Sequence, residues 1–208
     1  MINIITVKWG RKYKPAYVNK MFSMISRHTT LPFQFYCFTE NEEDLHPEIN
    51  VIPLDTSISI QGWWWKTYIF KQGWFPKDSL CFYIDLDMVI LSNIDDLIMY
   101  KTDKFMGTRN VMYLHKPEIN SLGSCILRWP TDKYWEIWNE VRRRPDVTKR
   151  YAGDQEFIQT VVPDIIYCPD EWIASYKWSK EHKAKIIAFH GEPRPHFVQD
   201  QIVLDNWK

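Results

Sequence analysis

The run Leu80-Cys81-Phe82-Tyr83-Ile84 is apolar at every position. A strand exposed on one face would alternate apolar with polar residues. An unbroken run therefore predicts a strand buried on both faces, at the centre of a mainly parallel sheet. Directly after it stand Asp85, Leu86 and Asp87. Alternation along the strand sets Asp85 and Asp87 on one face and returns Leu86 to the core. Two carboxylates so close repel each other unless a cation or strong donors balance them. Oxygen ligands suit Mg²⁺ or Mn²⁺, ions that usually complete their shell on substrate phosphates. The bland alternative is two acids opening an ordinary loop.

Upstream of that run the pattern alternates between strand and helix. Residues 2–7 read as a strand, and Tyr17, Met21, Met24 and Ile25 recur at helical spacing. Pro32 precedes a second strand over 33–38, Val51-Ile52 marks a third, and 63–70 reads as a short helix. This order predicts right-handed βαβ units over a mainly parallel sheet, whose ligands bind at the carboxyl ends of the strands. The later part predicts a capped helix start at 93–97, strands at 105–108, 124–127 and 185–190, and helices at 134–143 and 154–161. No repeat, linker or low-complexity tract divides residues 1–208, so one domain is expected.

Composition narrows the function. Lys plus Arg and Asp plus Glu both number 26, which leaves no cationic surplus for a nucleic-acid partner. Cys37, Cys81, Cys125 and Cys168 lie far apart with no C-x-x-C spacing, the pattern of reduced core thiols in a cytoplasmic protein. No apolar run reaches the ~18 residues of a membrane span. The chain carries 11 each of Trp, Tyr and Phe, flat side chains suited to sugars and bases but also to cores. Trp63-Trp64-Trp65 is the densest group and a candidate sugar platform, but on one helical turn the three point in different directions, so at least one belongs to the core. The cluster Arg142-Arg143-Arg144 with Lys149-Arg150 reads first as a solvated helix end.

A second constellation follows the last strand. His190 is delivered at its end, Gly191 lets backbone approach a ligand, and Pro193 and Pro195 stiffen the loop carrying Arg194. Histidine ligates borderline metals, and arginine pairs with phosphate oxygens.

Taken together, Tyr83 to Ile90, then Gly153-Asp154-Gln155-Glu156-Phe157, then His190-Gly191-Glu192-Pro193-Arg194-Pro195 resemble glycosyltransferases of the GT-A fold. The similarity is greatest to the family 8 group containing glycogenin and bacterial lipopolysaccharide galactosyltransferases. The resemblance implies a single GT-A-type α/β domain and a metal-dependent hexosyltransferase using a nucleotide-sugar, expected to be a UDP-sugar, with a glycan or other hydroxyl as acceptor. It implies that Asp85, Asp87 and His190 hold Mn²⁺ or Mg²⁺, and that Thr6, Val7, Lys8 and Tyr13 border the nucleoside. It also sets Gly191 and Arg194 over the diphosphate, with Arg in place of the family's Lys, and matches Lys66 to a basic donor-binding position. Asp154 and Gln155 match the pair lying against the transferred sugar, and transfer with retention is implied. The chain departs from the pattern at Gly123-Ser124-Cys125, where the group has Asn. Two rivals are a haloacid-dehalogenase-like phosphatase, whose nucleophilic Asp normally opens the domain, and a non-catalytic sugar-binding module.

Overall fold

The computed structural model describes residues 1–110, 121–179 and 183–208. Its strands are β1 (Ile2–Lys8), β2 (Phe33–Thr39), β3 (Asn50–Pro53), β4 (Leu80–Ile84), β5 (Met88–Ile90), β6 (Met106–Arg109), β7 (Leu122–Pro130), β8 (Ile166–Tyr167), β9 (Ile173–Ser175) and β10 (Ile186–Ala188). The helices are α1 (Pro15–His28), α2 (Asp95–Ile98), α3 (Glu136–Arg143), α4 (Val147–Arg150), α5 (Asp154–Val161) and α6 (Gln201–Asn206), with a 3-10 helix over Gly62–Phe70.

Seven strands form the main sheet in the order β3-β2-β1-β4-β7-β6-β8. The β3-β2-β1-β4 half and the β6-β8 pair are parallel, while β7 runs antiparallel to both its neighbours. The expected mainly parallel α/β sheet is thus present. The apolar run works as its composition requires: Phe82 and Ile84 enter one core while Cys81 and Tyr83 enter the other. In β1, Ile4 and Ile5 split the same way, and both are fully buried.

One face is covered by α1. Its residues Tyr17, Val18, Met21, Met24 and Ile25 recur on a single stripe, Pro15 occupies the first turn, and Arg27 and His28 lie in the last. The other face is covered by α3, α5 and the 3-10 helix, in which every residue from Trp64 to Phe70 is buried. Its apolar residues point in every direction and must be enclosed, which takes Lys66 and Thr67 inside with them. Arg142, Arg143 and Arg144 are exposed at the end of α3, the solvated arrangement expected of them.

The structure departs from the sequence reading at one consequential place. Asp85, Leu86 and Asp87 are not a continuation of the strand but a turn. It hands the chain from β4 to β5, in a second sheet ordered β5-β10-β9. Leu86 still returns to the core, so the turn separates the two acids from it as alternation would have.

A carboxylate also fixes α1 against α2. Asp95 accepts hydrogen bonds from the Thr29 hydroxyl, the Thr30 backbone N–H (3.1 Å) and hydroxyl (2.6 Å), and Asn93 Nδ2 (3.0 Å). Burial alone would raise its pKa, but these donors outweigh it and hold the group down to about 2. A pKa lower in the folded than in the unfolded chain gives stability that is present above about pH 4 and lost as pH falls toward 2. Asp95→Ala should therefore lower stability by about 1–2 kcal/mol at pH 7, the scale for hydrogen bonds to a charged group, as read from urea denaturation. The difference should close near pH 2, and a deficit independent of pH would show that the carboxylate charge is not what stabilises the junction.

Candidate active site

The acid turn lies where the two sheets meet. β10 pairs antiparallel with β5, Ala188 opposite Met88, and the next backbone N–H, that of Phe189, donates to Asp87 O at 3.0 Å. His190 is thereby brought to the cleft that Asp85 and Asp87 line. β9 runs parallel to β10, and its Ser175 Oγ bonds His190 Nε2 at 2.7 Å. Trp178 packs on the imidazole with ring centroids 4.5 Å apart. Burial, and then the Lys177 ammonium, push the imidazole pKa down, which favours a neutral ring. Gly191 follows with φ +77°, a conformation that favours glycine.

Lys66 is the electrostatic centre. It comes from the enclosed 3-10 helix and is itself buried. Its Nζ lies 3.4 Å from Asp85 Oδ1 and 3.3 Å from Asp154 Oδ2, and it donates to both Ser124 O and Ser124 Oγ at 2.9 Å. Burial works against the ammonium, but Asp154 and Asp85 outweigh it and hold its pKa above the ordinary lysine value. Asp154 is the first residue of α5, an end where a carboxylate is favoured by the helix dipole. Asp85 is further fixed by its backbone N–H to Cys125 O (2.9 Å) and by the Tyr83 hydroxyl. Tyr13 Oη donates to Asp87 Oδ2 at 2.6 Å. Desolvation raises the pKa of Asp85 and of Asp87, and their mutual repulsion adds to it at Asp85. Among the described residues, the three carboxylates Asp85, Asp87 and Asp154 share one directly paired ammonium, which leaves this part of the cluster short of positive charge.

Two clefts open from this centre. One, of about 400 Å³, is lined by Asp154, Gln155, Arg109, Gly123, Ser124 and His190 among others. The second, of about 290 Å³, is lined by Val7, Trp9, Lys12, Tyr13 and Tyr83. Trp63, Lys66, Asp85 and Asp87 line both.

By sequence, no family model and no curated protein matches the chain. Solved structures do match. The galactosyltransferase LgtC, determined with donor and acceptor sugar analogues, aligns over 93% of this chain and 88% of its own, with TM-score 0.68 at 11% identity. The glycosyltransferase GlyE of Streptococcus pneumoniae TIGR4 aligns over 100% of this chain and 60% of its own, with TM-score 0.71 at 9% identity. The bifunctional glycosyltransferase WbbM gives TM-score 0.63 at 12% identity over 93% of this chain and 46% of its own. The chain has the GT-A fold. It spans less than two thirds of GlyE and of WbbM.

Within the GT-A frame, most of the residues singled out in the sequence converge. Val7, Tyr13, Lys66, Asp85, Asp87, Asp154, Gln155 and His190 all line the paired clefts. Thr6 and Lys8 do not. They are buried on the face of β1 opposite to Val7, as strand alternation requires, so of the three only Val7 borders a cleft. Arg194 stands beside Tyr13, its guanidinium carbon 5.5 Å from the ring centroid. It is held by Glu192 at 3.1 Å and by Lys12 O at 3.2 Å. Among the described residues no three His, Cys, Asp or Glu side chains close into a metal-binding group, so His190 is in the cleft without completing a triad. At Gly123 a Cβ would come 3.0 Å from both Arg109 O and Thr108 Oγ1. A larger residue therefore requires β6 to shift, which accounts for glycine where the resemblance leads one to expect Asn.

Sequence reasoning missed Tyr83, Ser124 and Arg109 as site residues. Tyr83 had a usable signal, because residues two apart on an extended chain face the same way and Tyr83 precedes Asp85 by two. Ser124 had none, since its contact with Lys66 spans 58 residues.

Proposed function

We propose that this GT-A protein is a metal-dependent glycosyltransferase that moves a hexose from a nucleoside-diphosphate donor, a UDP-sugar, to a hydroxyl of a glycan or similar acceptor, with retention. The observation that carries the reading is the pair of clefts joined through Lys66, Asp85 and Asp87. A nucleoside in the smaller cleft and a sugar in the larger would set the diphosphate between them, over those three side chains. The neighbours named above, among them a galactosyltransferase solved with donor and acceptor sugar analogues, support the same class.

Asp85 and Asp87 are the proposed holders of a divalent ion. Asp85 and Asp87 offer oxygens in a cluster short of positive charge, and Mn²⁺ or Mg²⁺ commonly takes one or two carboxylates plus substrate phosphates. His190 is the third proposed ligand: with Nε2 on Ser175, Nδ1 is the nitrogen left to bind, the usual division of a ligating imidazole. Such an ion supplies charge against the leaving diphosphate. The chain's own residues do the rest. Tyr13 orients Asp87, Lys66 and Arg194 add fixed positive charge, and Val7 borders the nucleoside. Gly191 brings bare backbone toward the phosphates. Asp154 and Gln155 lie on the sugar side, where a carboxylate stabilises positive charge developing at the anomeric carbon. Asp154 is ion-paired with Lys66, the state of an electrostatic group and not of a free base, in keeping with retention.

A panel of nucleotide-sugars tested by thermal shift addresses the proposal directly. With Mn²⁺, one UDP-hexose should raise Tm, and excess chelator should abolish both the shift and donor turnover. Restoring Mn²⁺ should recover both. Turnover undiminished in chelator would remove the metal from the scheme, and a panel without any stabilising nucleotide-sugar would overturn the transferase reading.

A further inference from the structure

The three consecutive tryptophans have separate fates. Trp64 and Trp65 are core residues, 6% and 1% exposed, but Trp63 is 59% exposed. Gly62 turns the chain at φ +62° immediately before it. The indole does not lie on an outer surface: it lines both clefts, at the divide between the nucleoside side and the Asp154 side. Its other contact is with the start of α5. A Cβ on Gly153 would lie 3.6 Å from Trp63 Nε1, so the ring is seated against the residue that precedes Asp154. Among the described residues its N–H has no hydrogen-bond partner.

Leaving an indole face in water is unfavourable, and the face is large, flat and bordered by carboxylates and amides. That combination suits a pyranose, which has an apolar C–H face and a polar rim of hydroxyls. We infer that Trp63 is the platform on which the apolar face of the transferred sugar packs, and that it determines which donor sugar the larger cleft accepts. The inference rests on the transferase reading above and adds to it the residue that reads the sugar. Asp154 and Gln155 then meet the hydroxyl rim from the far side of Gly153, while the free indole N–H is available to a ring or hydroxyl oxygen.

Calorimetric titration in Mn²⁺ with UDP, UDP-glucose and UDP-galactose separates the outcomes, using wild type, Trp63→Ala and Trp63→Phe. Because Trp63 is exposed, both variants should keep the wild-type Tm. For the sugar nucleotide that binds best, Trp63→Ala should weaken binding about tenfold, the scale of losing an apolar contact in a specificity pocket. Affinity for UDP alone should stay within about threefold, and Trp63→Phe should retain most of the sugar-dependent gain. Loss of UDP affinity equal to the loss of sugar-nucleotide affinity would assign the indole to the nucleoside and overturn the inference. Unchanged titrations, or a wild type that gains nothing from either sugar over UDP, would overturn it as well. A wild type that binds none of the three ligands would instead bring down the transferase reading on which it rests.

Discussion

Lys66→Met should be less stable than wild type by about 3–5 kcal/mol at pH 7.5, the cost of removing one partner from a buried ion pair. Methionine fills much the same volume, so the loss is electrostatic and not a cavity effect. Without the ammonium, Asp85 and Asp154 face each other's field in a buried setting, and the Asp85 carboxyl pKa, already raised by burial, rises further. An acid whose folded pKa is raised destabilises fully above that pKa, and the effect fades as pH falls from it to the unfolded value. The deficit against wild type should therefore shrink as pH is lowered from 7.5 toward 5, a window in which the deficit of Asp95→Ala should stay whole, closing only nearer pH 2. Urea denaturation followed by circular dichroism at several pH values measures both. A loss under about 1 kcal/mol at pH 7.5 would mean that water or other cations already compensate the two acids. The double variant Lys66→Met with Asp154→Asn should regain part of the loss, because the uncompensated charge on Asp154 is then gone.

Asp87→Asn and Asp154→Asn should fail differently. Asp87 is proposed to hold the ion and diphosphate, so Asp87→Asn should weaken Mn²⁺-dependent UDP binding about tenfold or more. Transfer should fall by 10²-fold or more, the usual scale for one preorganised electrostatic contact. Asp154 is proposed to face the sugar, so Asp154→Asn should leave UDP affinity within about threefold while transfer falls to a similar degree. Contacts realised mainly in the transition state are lost from turnover and not from ground-state binding. The ion pairs from Lys66 to both Asp154 and Asp85 make this a demanding test, because they offer a route by which the sugar side could influence the diphosphate side. Equal loss of UDP affinity in the two variants would show that Lys66 transmits the change, and that the three acids act as one unit.

The extent to which the sequence disclosed this arrangement can be traced residue by residue. β4 and α5 were legible to their ends because each has a single strong pattern, an unbroken apolar run in one and helical spacing after Gly153 in the other. The second sheet was not legible. Met88-Val89-Ile90 follows the acid turn with apolar Leu86 inside it, so hydrophobicity alone shows no break at which one sheet gives way to another. Asp85, Asp87 and His190 stood out because charged or titratable groups at the ends of apolar strands are conspicuous. Their supports did not: Ser124 and Ser175 reach the site only after strands distant in sequence pair. Thr6 and Lys8 were misplaced through treating a strand end as a unit, when alternation had already divided it.

The double-sided burial of β1 and β4 has a kinetic consequence for the site. Ile4, Ile5, Phe82 and Tyr83 face two cores at once, so exposing their amides to solvent requires both layers to separate. Such segments open only at a free energy close to that of global unfolding, while loops and sheet edges open far more cheaply. Asp85 hangs directly from the end of β4 and keeps its backbone bond to Cys125 on the neighbouring strand. The floor of the clefts is consequently among the last parts of the molecule to exchange with water, whatever the loops above it do.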